Sequence, residues 1–527
     1  MRRTTRIRTG SIIAALGLIG TVGWLSDGPA GASPHTAAGV NWLSFSGGHL
    51  VYGHDANGNR IPDFSSVGYA DGNAPVPAVP TAVTVTPSPS GDDTTRIQMA
   101  IDKVSAMTPG SRGIRGAVVL AAGTYRIGGA LDINAGGVVL RGGGASPADT
   151  KLVATGSTDR DLITATGTGS ITQTGPTYQA TNTYAPVGSY TLRLNTTSGL
   201  AVGDQVIVQR PQTQAWIDAI GMNDIPPRPG THTPESWSPN PGPQYERQIT
   251  AIKGDTIRLN IPLVDAIQSR YGGATVYRYT FPGRISQVGI ENLTANGSAM
   301  SQTNYDASNC VVMDRIIDSW VRDIDCTEFG GGFGFLGGNA TRVSVLGVHV
   351  NGINVNPSEE AQPSAYGIDG QQLLLANCSV SGTDYHAWVT QAETAGPDVI
   401  TNCTATNTGQ STLDAGPHQR WATGILFDDD HIQGMQEVMD RSWFGSGQGW
   451  AGAWSAVYNG VTSDYLVEDP PLADNWAIGV TGTMLNPSQG VCPCNGIQQG
   501  EMVSPGKPVR PASLYRAQLA ARHGHRG

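Results

Sequence analysis

Apolar positions recur at helical spacing in one early stretch of this chain, where Ile97, Ala100, Ile101 and Val104 fall on one face behind Asp92 and Asp93. That spacing predicts a short amphipathic helix with an acidic cap. Beyond it the apolar runs are short, rich in Val, Ile and Leu, and bounded by glycine, as in residues 116–127, 130–133 and 137–144. Runs of this kind predict strands rather than helices. A helix followed by a succession of strands predicts a lid over the otherwise unpaired end of a sheet stack.

From residue 288 the strand signal becomes periodic. The segments Asn292-Leu-Thr, Asp325-Cys-Thr, Gly347-Val-His, Asn377-Cys-Ser and Asn402-Cys-Thr recur at intervals of 33, 22, 30 and 25 residues. An uneven period of this size predicts a solenoid in which strands stay constant and turns vary. Cys378 and Cys403 sit in matching contexts, which stacks them on neighbouring coils. Residues 184–280 depart from the rhythm and predict a β-rich insertion with a long loop over 225–245. Residues 33–90, rich in Gly, Pro and Asn, predict an extended N-terminal wrap. The expected plan is first coils with a capping helix over 91–183, the insertion over 184–280, main coils over 281–482, and a C-terminal tail with a short helix over 483–527.

The run Gly91-Asp-Asp-Thr, Gly116-Ala-Val-Val-Leu, Ala122-Gly-Thr-Tyr and Val138-Val-Leu-Arg-Gly-Gly-Gly resembles the opening of the pectin-lyase-like superfamily of β-helices. The similarity continues through residues 211–213, 416–424 and 513–519. It implies an all-β, right-handed parallel β-helix, among whose members are polysaccharide lyases, glycoside hydrolases, epimerases and phage tailspikes. Such an opening speaks for architecture and is nearly silent on reaction.

Composition agrees with many short strands, since Gly contributes 70 of 527 residues and charged residues only 14%. Residues 1–32 carry a cationic start, an apolar stretch over 12–22 and Ala30-Gly31-Ala32, the pattern of a cleaved signal peptide. Its loss moves the formal net charge from -10 to about -13, because four Arg and one Asp leave with it. An acidic chain with no basic run argues against nucleic acid and against an anionic membrane face. The expected destination is extracellular, and the expected partner is a polysaccharide. Six cysteines in so long a chain do not make a disulfide scaffold. Cys492-Pro-Cys494 lacks the four ligands of a structural zinc site.

A second set of strands, at 332–336, 365–369, 385–389 and 420–427, precedes the periodic segments. Stacked on successive coils at about 4.8 Å, they bring equivalent residues together. With Ala387 and Val389 inward, His386, Trp388 and Asp384 point out; with Ile425, Phe427, Trp421 and Thr423 inward, His418 and Arg420 point out. Asp369, Asp384, His386, His418 and Arg420 then converge on one outer surface as candidate catalytic residues. Each of them singly also fits an ordinary turn cap or surface ion pair.

Trp388, Trp216 and Arg210 are candidates for holding substrate, although Trp216 and Trp237 fit equally as packing under a loop. Asp428 and Asp430 are candidate ligands for a calcium ion, or a solvated acidic turn. Residues 55–63 space oxygen side chains around a glycine as calcium loops do, but the missing EF-hand helices favour an Asx-type turn.

These residue types suit a polysaccharide lyase acting by β-elimination on a uronate-containing glycan. Arg420 then neutralises the sugar carboxylate and His386 or His418 moves the proton. A glycoside hydrolase built on paired carboxylates, Asp369 with Asp384 or either with Asp414 or Asp428, is the alternative. A glycan-binding β-helix without catalysis is the third reading.

Overall fold

The computed structural model describes residues 40–524 apart from 157, 301–307, 354–362, 383–385, 407–412 and 492–496. The expected signal peptide and the Cys492-Pro-Cys494 segment lie outside the described residues. Strands pair in parallel with strands one coil later, and three sheets grow along one axis. The first begins with Thr81–Val85, Gly116–Leu120 and Val138–Gly142 and ends with Trp476–Ile478 and Glu501–Val503. The second begins with Gly123–Ile127 and Thr150–Gly156. The third begins with Leu131–Ile133 and Ile163–Thr166 and continues through Ser364–Ile368, His386–Thr390 and Asp414–Pro417. This is the expected right-handed parallel β-helix, the hand that twisted parallel strands impose on their crossovers.

Side chains from all three sheets fill one interior, from Val118 and Leu140 through Val345 and Tyr366 to Phe427 and Val467. Each coil buries its inward positions on the coils above and below, so no single turn of the solenoid has a core of its own. Helix α1, Thr94–Ser105, closes the N-terminal end, and Ile97, Ala100, Ile101 and Val104 join the interior as their spacing predicts. The cap differs from expectation in detail. Asp93 occupies the cap position without bonding the helix there, because its carboxylate is drawn to Arg96 and to the amide of Ser88. Asp92 instead accepts from the Thr94 amide at 2.9 Å.

Between the strands Ile163–Thr166 and Ile285–Ser286 the chain leaves the coil and builds a six-stranded antiparallel sheet. Its first strand, Thr172–Gln179, begins before the change of rhythm at residue 184. The sheet has its own core, including Leu192, Val206, Ile249 and Val276. The short helix α2, Gln214–Ala219, carries Trp216 and Ile217 against Trp421, Trp450 and Trp454 of the coils. Trp42, Ile61, Phe64 and Val67 of the N-terminal wrap join that same cluster, as does Leu514 of the last helix α3, Leu514–Gly524.

Cys310 and Cys326 form a disulfide that the sequence pattern did not indicate. Cys378 and Cys403 are free, buried and stacked, with the Cys378 amide 3.3 Å from the Cys403 sulfur. Among the described residues no helix is long and apolar enough to cross a membrane.

Candidate functional site

The third sheet brings the candidate chemistry together on adjacent coils. His386 opens the strand His386–Thr390, and its register partner on the next coil is Asp414, which opens Asp414–Pro417. His386 Nδ1 pairs with the Asp414 carboxylate. A carboxylate can only accept, so Nδ1 carries a proton and donates it to Asp414. Burial opposes the charge on Asp414, yet His386, then Arg441 and His418, hold its carboxyl below the usual range. Asp414 keeps 20% of its side chain exposed while His386 is almost enclosed, so the pair meets solvent along one edge.

His418 lies against His386, ring centroids 4.9 Å apart and nearly perpendicular. Its tautomer follows from a chain of donors. Arg441 Nε donates to Gln448 Oε1 at 2.8 Å, so the amide NH2 of Gln448 faces His418 Nε2, also at 2.8 Å. His418 Nε2 therefore accepts, and its proton sits on Nδ1, a buried donor with no partner. Burial, Arg441 and His386 together push His418 down to about 3. Arg441 is in turn paired with Glu437 and stands 3.8 Å from Asp414. The result is a dyad, His386 with Asp414, beside a second imidazole kept neutral by burial and by the cation behind it.

Arg420 joins this group through the backbone. Its amide donates to the Gln448 carbonyl at 3.1 Å, and its guanidinium donates to the carbonyl and hydroxyl of Ser446 at 2.8 and 3.0 Å. Asp369 reaches the same column from the other side. Ile368, Thr390 and Pro417 are register partners, so Asp369, Gln391 and His418, each the next residue, follow one another on successive coils. Burial and the neighbouring Asp314 raise the Asp369 carboxyl to about 7, and its Oδ1 has no hydrogen-bond partner. Asp384 lies outside the described residues.

Four candidates need correction. Trp388 does not point outward: it is fully buried in the interior beside its register partner Tyr366. A strand has two faces, and with Ala387, Trp388 and Val389 all apolar the sequence pattern did not choose between them. Trp216 and Arg210 are both buried. The Arg210 guanidinium lies 4.6 Å over the Trp216 ring and pairs with buried Asp265 at 3.3 Å, which also accepts from the indoles of Trp421 and Trp454. They form the joint between the insertion and the coils, and Trp421 belongs to that joint instead of the interior.

Asp428 is likewise occupied as a structural acceptor, whereas Asp430 uses one carboxylate oxygen and its Oδ2 is buried without a hydrogen-bond partner. Asp428 takes hydrogen bonds from Ser513, the Leu514 amide and Thr401, seating α3, while Asp430 accepts from the Cys403 amide at 2.8 Å. The Asp55 loop is the Asx-type turn: its carboxylate accepts from the Asn57 and Asn59 amides, both at 2.8 Å.

Sequence reading missed Gln448, Arg441 and Glu437, which come from the following coil and its turn. Asp414 was legible only as one of several possible carboxylate partners. Its distance of one coil from His386 was the available signal.

No family model matches the chain, and no curated protein does. Among solved structures, the alginate lyase from Paenibacillus sp. str. FPU-7 is similar at 9% identity with TM-score 0.41, over 80% of this chain and 98% of that one. The surface adhesin PfbA of Streptococcus pneumoniae is similar at 10% identity with TM-score 0.37, over 77% of this chain and 79% of that one. The tailspike protein gp49 from Pseudomonas phage LKA1 is similar at 12% identity with TM-score 0.33, over 74% of this chain. The chain spans 64% of that tailspike's length. These likenesses concern the coiled fold alone.

Proposed function

We propose that this chain is a secreted polysaccharide-degrading enzyme, a lyase that cleaves a uronate-containing glycan by β-elimination. The observation that carries the reading is the His386–Asp414 pair, an imidazole oriented by a carboxylate at the edge of a buried polar cluster. His386 Nε2 takes the proton from the sugar carbon beside the carboxylate. The electron pair of that C–H bond forms the new C=C bond, the neighbouring glycosidic C–O bond breaks, and the leaving oxygen receives a proton from the His386 imidazolium, which restores the base. Asp414 stabilises the imidazolium that forms. His418, neutral with its Nδ1–H unpartnered, offers a donor where negative charge develops, and Arg420 neutralises the sugar carboxylate.

A second reading has its own observation. Asp369, raised to about 7 by burial and by the neighbouring Asp314, is a carboxyl suited to donate a proton in glycoside hydrolysis. Purified protein is incubated with a panel of acidic and neutral polysaccharides, with and without chelation, and absorbance of an unsaturated uronyl product is followed in the ultraviolet. A rise that disappears in His386→Ala supports elimination at this site. New reducing ends without the rise move the assignment to Asp369 and hydrolysis, and no turnover of any glycan removes both.

A further inference from the structure

We propose that Asp469, Asp474 and Glu501 form a divalent-cation site, filled by calcium, that fastens the N-terminal wrap to the last coils. One carboxylate oxygen from each residue lies within 4.8 Å of the others. A single ion about 2.3–2.6 Å from each oxygen spans that spacing, whereas magnesium, which demands about 2.0–2.1 Å and near-ideal octahedral geometry, fits it less well. Oxygen-only donors select a hard cation over zinc or copper. The rest of the coordination shell is water or backbone carbonyl, as calcium permits.

The fold converges these residues from separate elements. Asp469 closes the strand Val461–Asp469, Asp474 sits in the turn before Trp476–Ile478, and Glu501 opens Glu501–Val503 on the next coil. A second observation points to a ligand. Asp474 is only 5% exposed, and its Oδ2 has no hydrogen-bond partner. A buried carboxylate oxygen without a partner is costly, and a cation among the three supplies what the protein does not.

The other polar contacts are neutral donors, the Asn475 amide to Asp469 Oδ1 at 2.6 Å and Trp42 Nε1 to Glu501 Oε2 at 2.9 Å. The charged groups that act on these carboxyls are further carboxylates, namely one another and Asp55. Asp55 is spent on its own loop and adds only field. Trp42 and Asp55 both belong to the wrap, so an ion here turns mutual repulsion between the wrap and the terminal coils into attraction.

The test uses the full mature chain. Terbium replaces calcium, and its emission is excited through the tryptophans, of which Trp42 touches a ligand. Thermal unfolding is recorded in calcium and in EDTA, and calcium is titrated by calorimetry. Calcium is expected to raise the Tm of the wild type, and terbium emission to be sensitised and then displaced by calcium. Asp474→Asn is expected to weaken calcium at least about tenfold and to lose the calcium-dependent rise in Tm.

In EDTA, Asp474→Asn is expected to unfold at or above the wild-type temperature, because it removes a like charge from the cluster; that separates loss of the ion from loss of the fold. Trp42→Phe is expected to dim the terbium emission while the calcium-dependent Tm rise persists. A wild type with the same Tm in calcium and EDTA and no sensitised emission overturns the proposal. So does an Asp474→Asn variant that binds calcium as tightly as the wild type. None of these readings uses substrate, so they stand apart from the outcome of the glycan assay.

Discussion

His386 and Asp414 face each other across one step of the third sheet, imidazole nitrogen against carboxylate, as register partners on adjacent coils. Pairing by register means that neither side chain chooses its partner through a loop. The sheet itself holds the distance, and the supporting residues Arg441, Glu437 and Gln448 arrive from the next coil.

Replacing Asp414 by Asn keeps the shape and removes the charge that orients the imidazole and stabilises its protonated form. Turnover is expected to fall by about 10²–10⁴-fold with little change in KM. Steady-state kinetics beside a circular-dichroism spectrum check it; an Asn variant with wild-type kcat takes the dyad out of the reaction.

His418→Ala is expected to abolish activity and leave the fold intact, since the ring fills a partly exposed edge and not the interior. His418 is held near 3 by burial, Arg441 and His386, so the neutral ring persists across the working range. No limb of the pH–rate profile near neutrality is therefore expected from His418. A pH–rate profile of unchanged shape in His418→Gln, at reduced rate, is the pattern to look for.

Stability is expected to decline as pH rises from about 5 to 8 when divalent ions are chelated. Burial raises Asp440 to about 6, Asp369 to about 7, with help from Asp314, and Glu468 to about 8. Between the unfolded values near 4 and these folded values, the folded chain binds more protons, so raising pH favours unfolding. His418 acts in the opposite sense, because its folded value is depressed, and it costs stability as pH falls from about 6.5 towards 3. Tm measured in EDTA at pH 5, 6.5 and 8 checks the balance; a steady rise towards pH 8 contradicts it.

The joint between insertion and coils gives a stability prediction that separates packing from binding. Trp216→Ala is expected to cost about 3–5 kcal/mol, the usual range for emptying a buried aromatic site. Asp265→Ala is expected to cost about 3–5 kcal/mol by leaving Arg210 buried without its partner. Urea denaturation measures both. If either variant instead keeps wild-type stability and loses affinity for glycan, the joint is a binding surface after all.

Much of the architecture was legible from local pattern. Ile97, Ala100, Ile101 and Val104 declared the lid by their spacing, and the recurrence around Asn377 and Asn402 declared the coil, stacking Cys378 on Cys403. Trp388 shows where that reading ends. Its neighbours are also apolar, so both strand faces were acceptable and only packing against Tyr366 chose between them.

By itself, then, the sequence determined the repeating unit, because the burial of every inward strand position leaves a mark at each coil. Which polar residues meet was decided only by the tertiary structure. Coils of uneven length set register through their turns, so His386 finds Asp414, and Asp469 finds Glu501, at separations that no fixed period contains. The same holds for Arg210 and Asp265, whose buried pairing exists only because the insertion leans on the indoles of Trp421 and Trp454.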